Sequence, residues 1–161
     1  MATLSDMHDA ITSALQTALP VLETVRAYGV GDSMNTPAAL LELETVEEGE
    51  DDGSGRIPLR CTWTIHCILS HRTPKVEREV RDFATQVFGI VRRNRWGLPT
   101  EYPEVLQCGP GEFQPGQEGY ESWYVTWEQP FFAGEDVWTG DGIQPDTVYS
   151  VHEGEQTEVT A

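Results

Sequence analysis

Basic residues are scarce in this chain. Its 161 residues carry 10 Lys and Arg against 27 Asp and Glu, a formal net charge of −17. A field of that sign repels nucleic acid and anionic membrane, so adhesive binding to either is not the expected function. It suits a surface past which DNA slides without sticking. Cysteine is scarcer still. Three cysteines, an odd number without framework spacing, predict reduced thiols rather than a disulfide scaffold. No apolar run approaches the roughly 20 residues needed to cross a bilayer. The opening MATLSDMHDAITS lacks the basic and then apolar regions of a secretory leader. A soluble product made in the cytoplasm, with no membrane partner, is the expectation. Internal repeats are missing as well. After Gly134, Lys and Arg disappear altogether, and the acids are spread through Thr, Gly and Gln. That composition predicts an extended acidic C-terminal arm or disordered tail over 134–161, set apart from a domain over 1–133.

What is present is a run of well-marked elements. Met7, Ala10, Ile11, Ala14, Leu15, Ala18 and Leu19 recur at helical spacing and predict a helix over 5–19, with Ser5 as its cap and Pro20 as its stop. LETVRAY (22–28) reads as a short strand, and AALLELETV (38–46) as a second. The acidic turn EEGEDDGSG (47–55) leads into a long third strand, RIPLRCTWTIHCILS (56–70), paired back on the second as a hairpin. The clearest helix spans 73–97. Thr73 suits its N-cap, Val76, Val80, Phe83, Ala84, Val87, Phe88 and Val91 form its apolar stripe, and Gly97 ends it. EVLQC (104–108) and YESWYVTWEQPFF (120–132) read as two more strands. The order α-β-β-β-α-β-β predicts an α+β fold, an antiparallel β-sheet covered by two helices on one face.

Several stretches invite a chemical reading. CTWTIHCILSH (61–71) holds two cysteines and two histidines, yet strand alternation places Cys61, Trp63, Ile65, Cys67 and Leu69 on one face and His66 on the other. Cys61 and Cys67 are then roughly 20 Å apart along the strand. That is too far for a disulfide or a shared metal, so buried apolar thiols are expected and no metal or cofactor site. Gly31-Asp32-Ser33 resembles the first block of the GDS-type serine hydrolases. The chain holds no G-x-N-D, and Asp146 and His152 are too far apart for a D-x-x-H, so Ser33 has no positioned base. A calcium loop starting at Glu48 fails at its twelfth position, where Leu59 replaces the bidentate Glu. Arg92, Arg93, Asn94 and Arg95 form the one dense basic cluster, read either as compensation of a helix end or as a site for phosphate or an acidic partner. On the last strand, Trp123, Val125 and Trp127 share one face and Tyr120, Tyr124 and Thr126 the other. Aromatics on both faces suggest a strand buried on two sides: either one side is core and the other a partner surface, with Trp123, Tyr124, Trp127, Phe131 and Phe132 as candidate interface residues, or the strand is simply packed under helices. No catalytic set emerges, and the chain is expected not to be an enzyme.

The N-terminal helix DAITSALQTALP, the strand phrase PAALLELE and the acidic hairpin into RCTWTIHCIL come first in the chain. The helix EREVRDFATQVFGIVRRNRWG and the closing strand YESWYVTWEQPFFAG follow them. In this order and spacing, over about residues 5–134, the chain resembles the tail terminator (tail completion) proteins of tailed bacteriophages, of the kind of the lambda gene U product. The resemblance implies a virion structural protein that assembles as a hexameric ring. That ring caps the head-proximal end of the tail tube, ends tube growth and meets the neck or head-completion proteins. It implies the tail tube protein as a partner, the sheath protein too in a contractile tail, and DNA passing through the lumen without specific binding. On this view the tip acids Glu47, Glu48, Glu50, Asp51 and Asp52 face the lumen or the tube. Two alternatives stand beside it: another neck or head–tail connector component of the head-closure type, and a hydrolase using Ser33.

Overall fold

The structure is a computed structural model that describes residues 1–29, 34–112 and 119–138, together with the backbone of two strands near the C-terminus. Helix α1 (Leu4–Ala18) starts at Thr3, not at the expected Ser5. Thr3 Oγ1 accepts from the Asp6 N–H, and the Asp6 carboxylate accepts from the Thr3 N–H at 2.8 Å. This reciprocal capping box satisfies donors that the first helical turn leaves without partners. The same bonds hold the Asp6 carboxyl below its ordinary range. One face of α1 buries Met7, Ile11 and Leu15 completely.

Five strands follow: β1 (Thr24–Ala27), β2 (Ala38–Glu48), β3 (Ile57–Ser70), β4 (Glu104–Pro110) and β5 (Tyr120–Ala133). They form one sheet in the order β1-β2-β3-β5-β4. Strand β3 lies at its centre. It pairs antiparallel with β2 on one side and, from Ile57↔Ala133 to Ser70↔Tyr120, with β5 on the other. The fold is α+β, but the sheet is mixed rather than purely antiparallel, because β1 runs parallel to β2 from Thr24↔Ala38 to Ala27↔Leu41. A parallel pair requires the chain to return along the strand it has left. Here that strand is only four residues long, so residues 28–37 suffice for the return.

Helix α2 (Val76–Val91) buries Val80, Phe83, Ala84, Val87 and Val91. It departs from the expected 73–97 at both ends. Its N-cap is Lys75, with φ +53° and no side-chain capping bond, rather than Thr73. It stops at Val91, with Arg92 at the C-cap. Beyond lie Arg93 (φ +64°), Trp96 (φ +58°) and Gly97 (φ +72°) in left-handed geometry, which no helix continues. The last turn itself contains no basic residue, and Arg92 at the C-cap with Arg93 after it stands at the negative helix end, where a cation is favourable.

Both helices cover the same sheet face. The alternation expected for β3 holds: Cys61, Trp63, Ile65, Cys67 and Leu69 enter the main core with the stripes of α1 and α2. Ile68 turns to the opposite face and joins Ala38 and Leu40 in a small second cluster with Tyr28, Met34 and Tyr120. Where composition predicts an extended or disordered tail, two further strands pair antiparallel: β6 (Val148–His152) and β7 (Glu155–Val159), a two-stranded sheet of their own.

Candidate functional site

The helix-free face of the sheet is stitched together by polar side chains. Thr64 Oγ1 meets Thr126 Oγ1 at 2.6 Å, linking β3 to β5. One strand over, the His66 ring bonds Glu42 at 2.8 Å and lies against Tyr28, with ring centroids 4.8 Å apart. Nearer the β2–β3 hairpin, Arg60 donates to Glu47 at 2.8 Å and lies 3.6 Å from Glu128. Cross-strand pairs of this kind fix register and leave a charged surface, not an apolar one.

At the hairpin end of this face, Glu48, Glu50, Asp51 and Asp52 line an open groove with Arg60, Glu101, Pro130 and Phe132. The tip is a built turn rather than a free solvated loop. Asp51 accepts from the Gly53 N–H at 2.8 Å and Asp52 from the Ser54 N–H at 3.0 Å. The Ser54 bonds hold the Asp52 carboxyl below its ordinary range. Gly53 and Gly55 take φ of +76° and +78°, a geometry that glycine adopts without a Cβ penalty. The chain leaving β5 folds back onto this turn. Val137 N–H donates to Ser54 O at 2.9 Å, Trp138 Nε1 to Gly53 O at 2.8 Å, and Asp136 lies 3.7 Å from Arg56. Glu47, Glu48, Glu50, Asp51 and Asp52 are all exposed, so the structure gathers the five expected tip acids at one end of the sheet.

The expected aromatic interface residues divide. Trp127 and Phe131 are 0% exposed and Phe132 only 7%. Trp127 and Phe131 fill this chain's own core, where a neighbouring subunit cannot reach them, which corrects the expectation for these residues. Trp123 packs half-buried against the same core. Tyr124 alone of the five lies on the helix-free face with part of its ring accessible, over Gly109.

A residue that the strand pattern leaves unremarked organises this region. Gln129 is fully buried. Its Oε1 accepts from Trp96 Nε1 at 2.9 Å and Trp127 Nε1 at 3.1 Å. Its Nε2 donates to Asn94 O at 3.0 Å, Thr100 Oγ1 at 3.2 Å and Glu101 O at 2.8 Å. One amide thus ties the 94–101 loop to β5. The signal was available: Gln129 stands two residues from both Trp127 and Phe131, on the core side of the alternation.

The thiols carry no site chemistry. Burial pushes Cys61 up to about 11 and raises Cys67 and Cys108 as well. Thiolate is the reactive form, so native protein at pH 8 is expected to yield at most the half-buried Cys108 to a bulky disulfide reagent. All three should react in denaturant. Rapid loss of two thiols from native protein would contradict this packing. Stability follows the same sign. The raised values contribute fully below the unfolded thiol value near 9.0 and are lost as pH climbs towards 11. Among the described residues no group of three His, Cys, Asp or Glu side chains is placed to hold a metal ion. Asp32 and Ser33 lie outside the described residues. No protein-family model matches the chain, and no curated protein matches it.

Proposed function

We propose that this chain is a structural ring subunit of the phage tail-terminator kind, which caps the head-proximal end of a tail tube, ends its polymerisation and meets the neck. The carrying observation is the β2–β3 hairpin, which presents a built, acidic tip at one end of a sheet whose helices all lie on one face. The element order over the first 133 residues supports the reading, as does the charge of −17, which favours a lumen that DNA traverses without adhering. In this reading the acidic tip belongs to a contact made within or at the end of the ring, and Tyr124 belongs to a contact surface. The ring has no catalytic role, and Ser33→Ala leaves its function unchanged.

The test is to add purified protein to growing cognate tail tubes and measure tube lengths by electron microscopy. Tubes should stop growing and carry one extra ring at a single end. Unchanged lengths with undecorated ends would favour the head-closure alternative, to be assayed on DNA-filled heads. Within the cap reading, a Glu47→Gln, Glu48→Gln, Glu50→Gln variant spares the aspartates that build the turn. Its expected effect is impaired tail joining or DNA passage, and a wild-type phage titre would remove the tip from the mechanism.

A further inference from the structure

Each copy entering a ring of this chain brings a formal charge of −17, so assembly works against strong self-repulsion. Cations must therefore meet acids across each seam. The chain offers one dense place for this. Arg92, Arg93 and Arg95 are exposed, lie beyond the end of α2, and make no ion pair among the described residues. Arg56 and Arg60, by contrast, are paired with carboxylates of their own chain.

The cluster is held in shape. Gln129 fixes the 94–101 loop from below through Asn94, Thr100 and Glu101. Arg95 Nε donates to Thr100 O at 2.8 Å, and its guanidinium stands 5.6 Å from the centroid of the exposed Tyr102 ring. A guanidinium positioned in this way loses little further freedom when it grips a carboxylate. The complementary surface is on the same molecule. Glu48 and Glu50 at the hairpin tip are exposed and make no ion pair among the described residues. Tip and arginine loop lie at the same end of the sheet, since Ile57 of β3 pairs with Ala133 of β5 and Thr100 bridges to Phe131. They are offset across its width: the tip joins β2 to β3, whereas the arginine loop leads to the edge strand β4. Two different patches at one height are what a head-to-tail contact in a closed ring requires.

We infer that the arginine loop of one copy receives the acidic hairpin tip of a second copy, and that this heterologous contact is the seam of the assembly. The inference rests on the ring reading above and names its interface.

The test uses two variants of the full chain. One carries Arg92→Glu and Arg93→Glu, leaving Arg95 to hold its loop. The other carries Glu48→Lys and Glu50→Lys. Circular dichroism and thermal unfolding check that both fold as wild type. Sedimentation then reads self-association. Wild type should associate near 0.15 M salt, where a screening length of roughly 8 Å damps the repulsion between whole copies but leaves close contacts across the seam, and should associate less at about 0.01 M, where that repulsion reaches roughly 30 Å. Each variant alone should associate about tenfold or more weakly, because like charges now face each other. Mixing the two should restore association, since each then meets an opposite charge. A wild type that stays monomeric at high micromolar concentration and about 0.15 M salt overturns the seam, as do variants that associate like wild type. If the arginine variant loses affinity for duplex DNA while its association is unchanged, the loop is a nucleic-acid surface and the seam is overturned. The two readings fail separately. Tube capping that survives both variants would refute the seam and keep the cap, whereas rescue by mixing without tube capping would keep the seam and refute the cap.

Discussion

Gln129→Leu is expected to lower the unfolding free energy by about 3–5 kcal/mol, although leucine is close in volume and more apolar. The reason lies in the groups left behind. The Trp127 indole N–H, on a fully buried residue, loses its acceptor, and an orphaned buried donor costs about 1–3 kcal/mol. The carbonyls of Asn94 and Glu101 and the hydroxyl of Thr100 lose a shared donor, at roughly 1 kcal/mol each where water does not replace it. For a chain of this length the melting temperature should fall by about 10 °C. Amide exchange should speed up selectively in the 94–101 loop. Gln129→Glu provides a sign check. As a carboxylate it would face the Asn94 and Glu101 carbonyl oxygens, whereas the protonated acid can donate to one of them. Burial and those carbonyls raise its folded-state pKa, so its stability relative to wild type should improve on acidification and be lost as pH rises. Urea unfolding followed by tryptophan fluorescence measures both. A Gln129→Leu protein within 1 kcal/mol of wild type would show that the amide only fills space.

Why Gln129 escapes a reading of the sequence, when its neighbours do not, is a matter of signal type. Hydrophobic periodicity marks which side of a strand or helix is buried, and it did so for α1, for β3 and for the stripe of α2. It places Gln129 on the core side of β5 but cannot say what a polar residue does there, which is visible only when partners from residues 94–101 arrive. The same limit explains β1. Four residues carry too little alternation to fix pairing direction, which is decided by where residues 28–37 deliver the chain. Caps are another matter. Thr3 and Ser5 are both competent capping residues, and which of them serves depends on whether Asp6 can reach back to the residue three before it. At the end of α2 the arginines lie where a longer helix would place favourable cations. The chain leaves helical geometry at Arg92, Trp96 beyond it turns in to Gln129, and the arginines become exposed loop residues. The acidic tip was legible as composition, and its turn hydrogen bonds follow from Asp and Gly in close succession. The return of Asp136, Val137 and Trp138 onto it was not legible, since nothing local links positions so far apart.

The stripe of α2 supports the second large effect, Val87→Asp, which is expected to give no soluble folded protein. Val87 is 0% exposed and lies among the buried side chains of the main core. The described residues of that core are apolar, so a carboxylate there meets no cation among them. It must ionise in an apolar core or take up a proton, and either course costs several kcal/mol. The lost apolar burial adds about 1.5–3 kcal/mol. Together these approach the whole stability of a typical domain, about 5–15 kcal/mol. One residue earlier, the same chemistry costs far less. Gln86 is exposed on the groove between the end of α1 and α2, and Gln86→Asp should cost no more than about 1 kcal/mol, from repulsion by Asp82 one turn earlier and the weaker helix propensity of Asp. Comparing soluble yield and melting temperature for the pair isolates burial from charge, since both variants add one acid to the same helix. Equal losses at 86 and 87 would mean that added negative charge, in a chain already at −17, is what the fold resists. A loss confined to 87 would assign the cost to the core. The outcome bears on assembly as well. If Gln86→Asp folds normally, the monomer tolerates its own excess charge, and the repulsion between copies is the part that the arginine loop has to overcome.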